Sequence, residues 1–146
     1  MIDSLKAIPT EYAGVRFKSR LEARFAEYLD AVPARWVYEP KFPGENPSYQ
    51  PDFFLQELEL YVEIKPEARL NELKIFWTEI ERCSAPFVCL DKSERDEWSL
   101  LASNCSFSGG LKINIPSPIR IELWNCRDGK SRVTLVLNFN PFFNIH

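Results

Sequence analysis

The chain has a single histidine, His146, and it is the last residue. HNH and HUH nucleases, HD-type phosphohydrolases, zinc proteases and Ser-His triads all need an internal histidine, so none of these chemistries fits. There is no Gly-x-x-x-x-Gly-Lys-Ser/Thr and no Gly-x-Gly-x-x-Gly. A P-loop and the dinucleotide fingerprint are therefore excluded. No apolar run approaches membrane-spanning length, and no signal-peptide pattern opens the sequence, which leads to the expectation of a cytoplasmic protein with no membrane contact. The four cysteines, Cys83, Cys89, Cys105 and Cys126, form no Cys-x-x-Cys pair. Free thiols are expected rather than zinc or disulfides.

What is present is a compact-protein composition. Hydrophobic residues make up 45% of the 146 and aromatics 14%, enough for a real core, and residues 1–146 are expected to form one domain. The net charge of −3 argues against coating nucleic acid through bulk charge. It leaves room for a local basic patch, and Arg16, Lys18, Arg20 and Arg24 are the candidates for one. The same four residues also read as a solvated helix face.

The most informative stretch runs from Tyr49-Gln50-Pro51-Asp52-Phe53-Phe54-Leu55 to Leu60-Tyr61-Val62-Glu63-Ile64-Lys65. Both runs read as strands, rich in aromatic and β-branched residues. If Leu55 faces Leu60 across the intervening loop, Asp52 falls opposite Glu63 on one sheet face. Lys65, two residues on, shares that face. Phe53, Val62 and Ile64 fall on the other, which reads as core. Two opposed carboxylates repel unless something sits between them, and a divalent cation with oxygen ligands suits the gap.

The rest reads as an alternation of elements. Ser19 to Asp30 is predicted helical, with Ser19 as N-cap and Leu21, Phe25, Tyr28 and Leu29 as the apolar stripe. Residues 35–40 read as a strand. Ala68 to Arg82 reads as an amphipathic helix carrying Leu70, Leu73, Phe76, Trp77 and Ile80 on one side. Pro86 to Leu90 is a short buried strand, and Glu94 to Ala102 is read as a short helix. Strands are predicted over Leu111–Ile115, Ile119–Trp124 and Arg132–Phe139, with an Asp128-Gly129 turn before the last. The order α-β-β-β-α-β followed by a β-rich tail predicts an α/β fold with a mixed central sheet.

Pro51-Asp52 followed by Glu63-Ile64-Lys65 resembles the PD-(D/E)XK nuclease superfamily. Upstream, Phe17-Lys18-Ser19-Arg20-Leu21-Glu22-Ala23-Arg24 is similar to the first helix of that fold, whose glutamate often joins the metal site. Trp36-Val37-Tyr38-Glu39-Pro40 is similar to its first core strand. The resemblance is strongest to small endonucleases of phage and mobile elements, such as the endonuclease subunit of Tn7-type transposases. Archaeal Holliday-junction resolvases share the helix-Glu, Asp, Glu-x-Lys layout.

The resemblance implies a restriction-endonuclease-like core and a Mg²⁺-dependent endonuclease, with Mn²⁺ able to substitute. Asp52 and Glu63, joined by Glu22 and the carbonyl of Ile64, would hold the metal, which would acidify a bound water and polarise the phosphate. Lys65 would stabilise charge on the phosphate rather than act as a base. The implied partner is nucleic acid, with DNA the expected substrate. A protein partner could supply DNA affinity or target choice, and a homodimer is allowed. The same fold with a retired site could instead serve as an inactive module that binds nucleic acid or a nucleoprotein complex.

Each residue also has a plainer reading. Glu22 stands three residues after Ser19 and forms a capping box. Asp52 could cap a turn after Pro51. Glu63 and Lys65 could be a surface strand ion pair. Glu39 at a strand end is a weaker site candidate, and Tyr38, Tyr49 and Tyr61 read as packing residues.

Overall fold

A computed structural model describes residues 7–32, 34–43, 49–83, 85–92 and 98–104 with their side chains. It describes 112–113, 119–125 and 131–137 as backbone. Two short strands, β1 (Thr10–Tyr12) and β2 (Val15–Phe17), form an antiparallel hairpin that the sequence reading missed. Ala13 and Gly14 between them both take positive φ, 51° and 79°. That is the two-residue turn geometry that matches strand twist.

Helix α1 (Arg20–Ala31) follows, then β3 (Trp36–Tyr38), β4 (Phe53–Leu55) and β5 (Leu60–Ile64). A 3₁₀ segment (Glu67–Phe76) leads into α2 (Trp77–Arg82), β6 (Phe87–Lys92) and β7 (Trp98–Ser103). The tail adds β8 (Lys112–Ile113), β9 (Ile119–Asn125) and β10 (Ser131–Leu137). The described strands outside the hairpin form one mixed sheet in the order β3-β4-β5-β6-β7-β10-β9-β8. Among the described strands only β5 and β6 pair in parallel, and the 3₁₀ segment and α2 supply the crossover that a parallel pair requires. The fold is α/β.

Both faces of the sheet are covered where β4, β5 and β6 run. Phe53, Leu55, Leu60, Val62, Ile64, Val88 and Leu90 pack with Phe25, Ala26 and Leu29 of α1. Phe87 and Cys89 pack on the other side with Tyr49, Leu73 and Ile80. Phe53 is fully buried, with the rings of Phe17, Phe25, Trp36 and Tyr38 all within 6 Å of its own. Truncating such a residue to alanine typically costs about 3–5 kcal/mol.

Two expectations need correction. The predicted helix from Glu94 to Ala102 is strand where it is described, since Trp98–Ser103 pairs antiparallel with β6. Trp98 is 3% exposed, so sheet pairing and burial override a charged, helix-favouring lead-in. The predicted α-helix from Ala68 to Arg82 is 3₁₀ up to Phe76 and α-helical only beyond it. Leu70, Leu73 and Phe76 recur every third residue, the 3₁₀ period, and all three pack into the group around Phe87, Cys89, Tyr49 and Ile80. Cys83 and Cys89 are free thiols, whereas Cys105, Cys126, His146 and the Asp128-Gly129 turn lie outside the described residues. No helix among the described residues is long and apolar enough to cross a membrane.

Candidate functional site

The β4–β5 pairing has the expected register, Phe53 with Val62, Phe54 with Tyr61 and Leu55 with Leu60. Asp52 and Glu63 continue that ladder by one step. They are buried, at 3% and 8% exposure. Asp52 Oδ2 accepts the backbone N–H of Ile64 at 2.8 Å, which locks the acid across the end of β5. One residue's N–H and C=O face the same edge of an extended strand, so the Ile64 carbonyl is directed to the Asp52 side of β5. Glu63 Oε1 accepts the Tyr49 hydroxyl at 3.2 Å.

Glu22 enters from α1 and is 5% exposed. Ser19 caps the helix, its Oγ accepting the Glu22 N–H at 3.1 Å. The Ser19 hydroxyl in turn donates to Glu22 Oε2 at 3.0 Å. Tyr38 donates to Glu22 Oε1 at 2.6 Å and accepts the Lys18 N–H at 3.1 Å. The capping role and the site role thus coexist in one side chain. Among the described residues no three His, Cys, Asp or Glu side chains are gathered as a ready metal cage. Asp52 and Glu63 are neighbours, and Glu22 feels the Asp52 charge with both its own oxygens engaged by Ser19 and Tyr38.

Burial raises the pKa of all three acids. For Asp52, desolvation acts first and the neighbouring Glu63 charge adds to it, against the Ile64 N–H. For Glu63, desolvation outweighs the field of Lys65 and the Tyr49 hydrogen bond. Glu22 is pushed up to about 7 by desolvation and then by Asp52, with the Tyr38 and Ser19 hydrogen bonds opposing. Tyr38 and Tyr49 are raised as well, by burial and by the carboxylates they serve. This many acids in little water is a poor arrangement for free anions and a suitable one for anions sharing a cation.

The acids line a cleft of about 610 Å³ together with Lys18, Arg20, Arg24, Lys65 and Arg69. Three of the four basic residues singled out from the sequence are therefore brought to the acids. Arg16 is not, since it is exposed on β2 and outside the cleft lining. Lys18 Nζ lies 3.6 Å from Asp52 Oδ1 and 3.9 Å from Glu39 Oε2. Its pKa is raised: burial pulls downward, but the fields of Asp52, Glu22, Glu39 and Glu63 win. Lys65 Nζ is paired with Glu72 Oε2 at 3.0 Å, and Arg69 grips the same carboxylate at 2.9 Å.

Sequence reasoning took Tyr38 and Tyr49 for packing residues only, and missed Arg69 and Asp91. Tyr38 could have been found by parity, because it pairs with Phe53 and so faces α1, where Glu22 sits. Asp91 lines the cleft, but its oxygens accept the N–H groups of Glu67 and Lys92 at 3.0 and 2.7 Å. Arg69 carried no signal beyond its charge. No family model, curated protein or solved structure matches the chain.

Proposed function

We propose that this protein is a metal-dependent endonuclease that hydrolyses phosphodiester bonds, in DNA before RNA, with a restriction-endonuclease-like core of the PD-(D/E)XK type. The observation that carries the reading is the buried Asp52–Glu63 pair at the end of β4 and β5, in a cleft walled by cations. Its donors are oxygen only, which suits Mg²⁺ or Mn²⁺ and not zinc. A bound divalent ion would acidify a water and polarise the scissile phosphate. Asp52 Oδ1, Glu63 and the Ile64 carbonyl would hold that ion, and Glu22 would take part through its charge or through water.

Lys65 would leave Glu72 and stabilise charge developing on the phosphate. Tyr49 and Tyr38 would hold Glu63 and Glu22 in place. Arg20, Arg24 and Arg69 would meet the nucleic-acid backbone. The test is nicking of plasmid, single-stranded and branched DNA with Mg²⁺ or Mn²⁺. Wild type is expected to cut, and Asp52→Asn is expected to lose cutting with its fold intact. Binding of nucleic acid without cleavage of any form, under either metal, would replace this reading with that of an inactive docking module.

A further inference from the structure

The Lys18 side chain lies against the acidic pair, although it belongs to the segment before α1 and not to the hairpin. Asp52 turns Oδ2 to the Ile64 N–H and Oδ1 to the Lys18 ammonium, so Oδ1 is the oxygen on which a cation bears. Lys18 Nζ stands 3.6 Å from that atom. Among the described residues its second ion pair is with Glu39, at 3.9 Å, and the fields of Glu22 and Glu63 reach it as well. The start of the side chain is fixed, because the Lys18 N–H donates to the Tyr38 hydroxyl, which is bound to Glu22. Its far end is free to leave, since 57% of the side chain is exposed and the cleft is open beside it.

We propose that Lys18 is a tethered counter-ion of Asp52 which a divalent cation must displace, so that this lysine sets the metal affinity of the site. The inference rests on the metal-site reading above and adds to it a residue that acts through Asp52. One ammonium cannot satisfy a pair of acids as a divalent ion can, because it brings one charge to an oxygen set that can coordinate two. Exchange is therefore favourable, but each metal that binds must first break the ion pair. Once displaced, the ammonium remains in the cleft as a further cation on the substrate side.

Mn²⁺ binding followed by electron paramagnetic resonance tests this without any turnover. Lys18→Met is expected to bind Mn²⁺ about tenfold more tightly than wild type, the scale of an opposite charge held within 4–6 Å of a carboxylate. Lys18→Arg keeps the charge and should stay close to wild type. Arg20→Met is the control for the general field, because Arg20 lines the cleft, while among the described residues the ion pair to Asp52 comes from Lys18. Equal or weaker binding in Lys18→Met, or an equal gain in Arg20→Met, overturns the role of Lys18 while leaving the metal site standing. Loss of binding in Asp52→Asn confirms that the site is the one under test. If wild type, Lys18→Met and Asp52→Asn all fail to bind Mn²⁺, the metal site falls and the proposal with it.

Discussion

Asp52 and Glu63 are two acids in a space that suits one negative charge. Desolvation raises both, and Asp52 is pushed to about 8. An unfolded carboxyl titrates near about 4. Between those values the folded protein holds more protons than the unfolded one, so stability falls as pH rises. The contribution is full below about 4 and is lost by about 8. The melting temperature of metal-free protein should therefore drop from pH 5 to pH 8, and Asp52→Asn should flatten that slope. Thermal melts in a chelating buffer check this, and an unchanged slope in the variant would deny that the pair holds a proton.

Tyr49 provides a second test at the same scale. Its hydroxyl is the donor on Glu63, and its ring stacks on Phe76 at 4.7 Å. Tyr49→Phe keeps the ring and removes only the donor. The loss should be about 1 kcal/mol of stability, with Mn²⁺ affinity lowered about tenfold by the loss of a ligand's outer partner. Urea unfolding and metal titration read the two effects separately. A variant with unchanged metal affinity would mean that Tyr49 only packs.

At the scale of elements, the segment after Lys65 decides how that lysine is held. The 3₁₀ run carries Glu72, which takes Lys65 at 3.0 Å and Arg69 at 2.9 Å. Ten residues is long for a 3₁₀ helix, whose hydrogen-bond geometry is inferior to that of an α-helix. Lys65→Ala should lower cleavage by about 10²–10³-fold and leave Mn²⁺ binding in place, because in the proposed mechanism the lysine acts on phosphate. Glu72→Gln should not lower cleavage, since it only releases Lys65. Single-turnover nicking distinguishes them, and a Glu72→Gln variant as dead as Lys65→Ala would make Glu72 part of the chemistry.

The same contrast explains what could be read in advance. The hairpin register was legible because alternation fixes which residues share a face, and a one-residue slip would have buried the charges in the α1 core. Helix α1 was legible from Ser19 and its stripe. The 3₁₀ geometry was not, because Leu70, Leu73, Phe76, Trp77 and Ile80 fit an α-helix almost as well. β7 was not, because Trp98 is buried by pairing with β6, a contact that no local pattern carries. Lys18 reads from the sequence as part of a basic patch or of a solvated helix face, since nothing near it in sequence reveals that Asp52 lies beside it.

At the scale of the molecule, a net charge of −3 has to coexist with the anionic substrate that the proposed function requires. The cleft resolves this locally, because Arg20, Arg24 and Arg69 share its walls with the acids. Arg20 and Arg24 lie four apart on α1, one turn from each other, and both are exposed. A contact between either guanidinium and a phosphate would release about one counter-ion. Arg20→Ala or Arg24→Ala should therefore weaken DNA binding and reduce the slope of log affinity against log salt by about 1. Arg16→Ala, outside the cleft, should change neither. The measurement is fluorescence anisotropy on a labelled duplex over a salt series with Ca²⁺ in place of Mg²⁺. A slope that fell equally for all three variants would mean that the substrate follows the general charge of the N-terminal region and not the wall of this cleft.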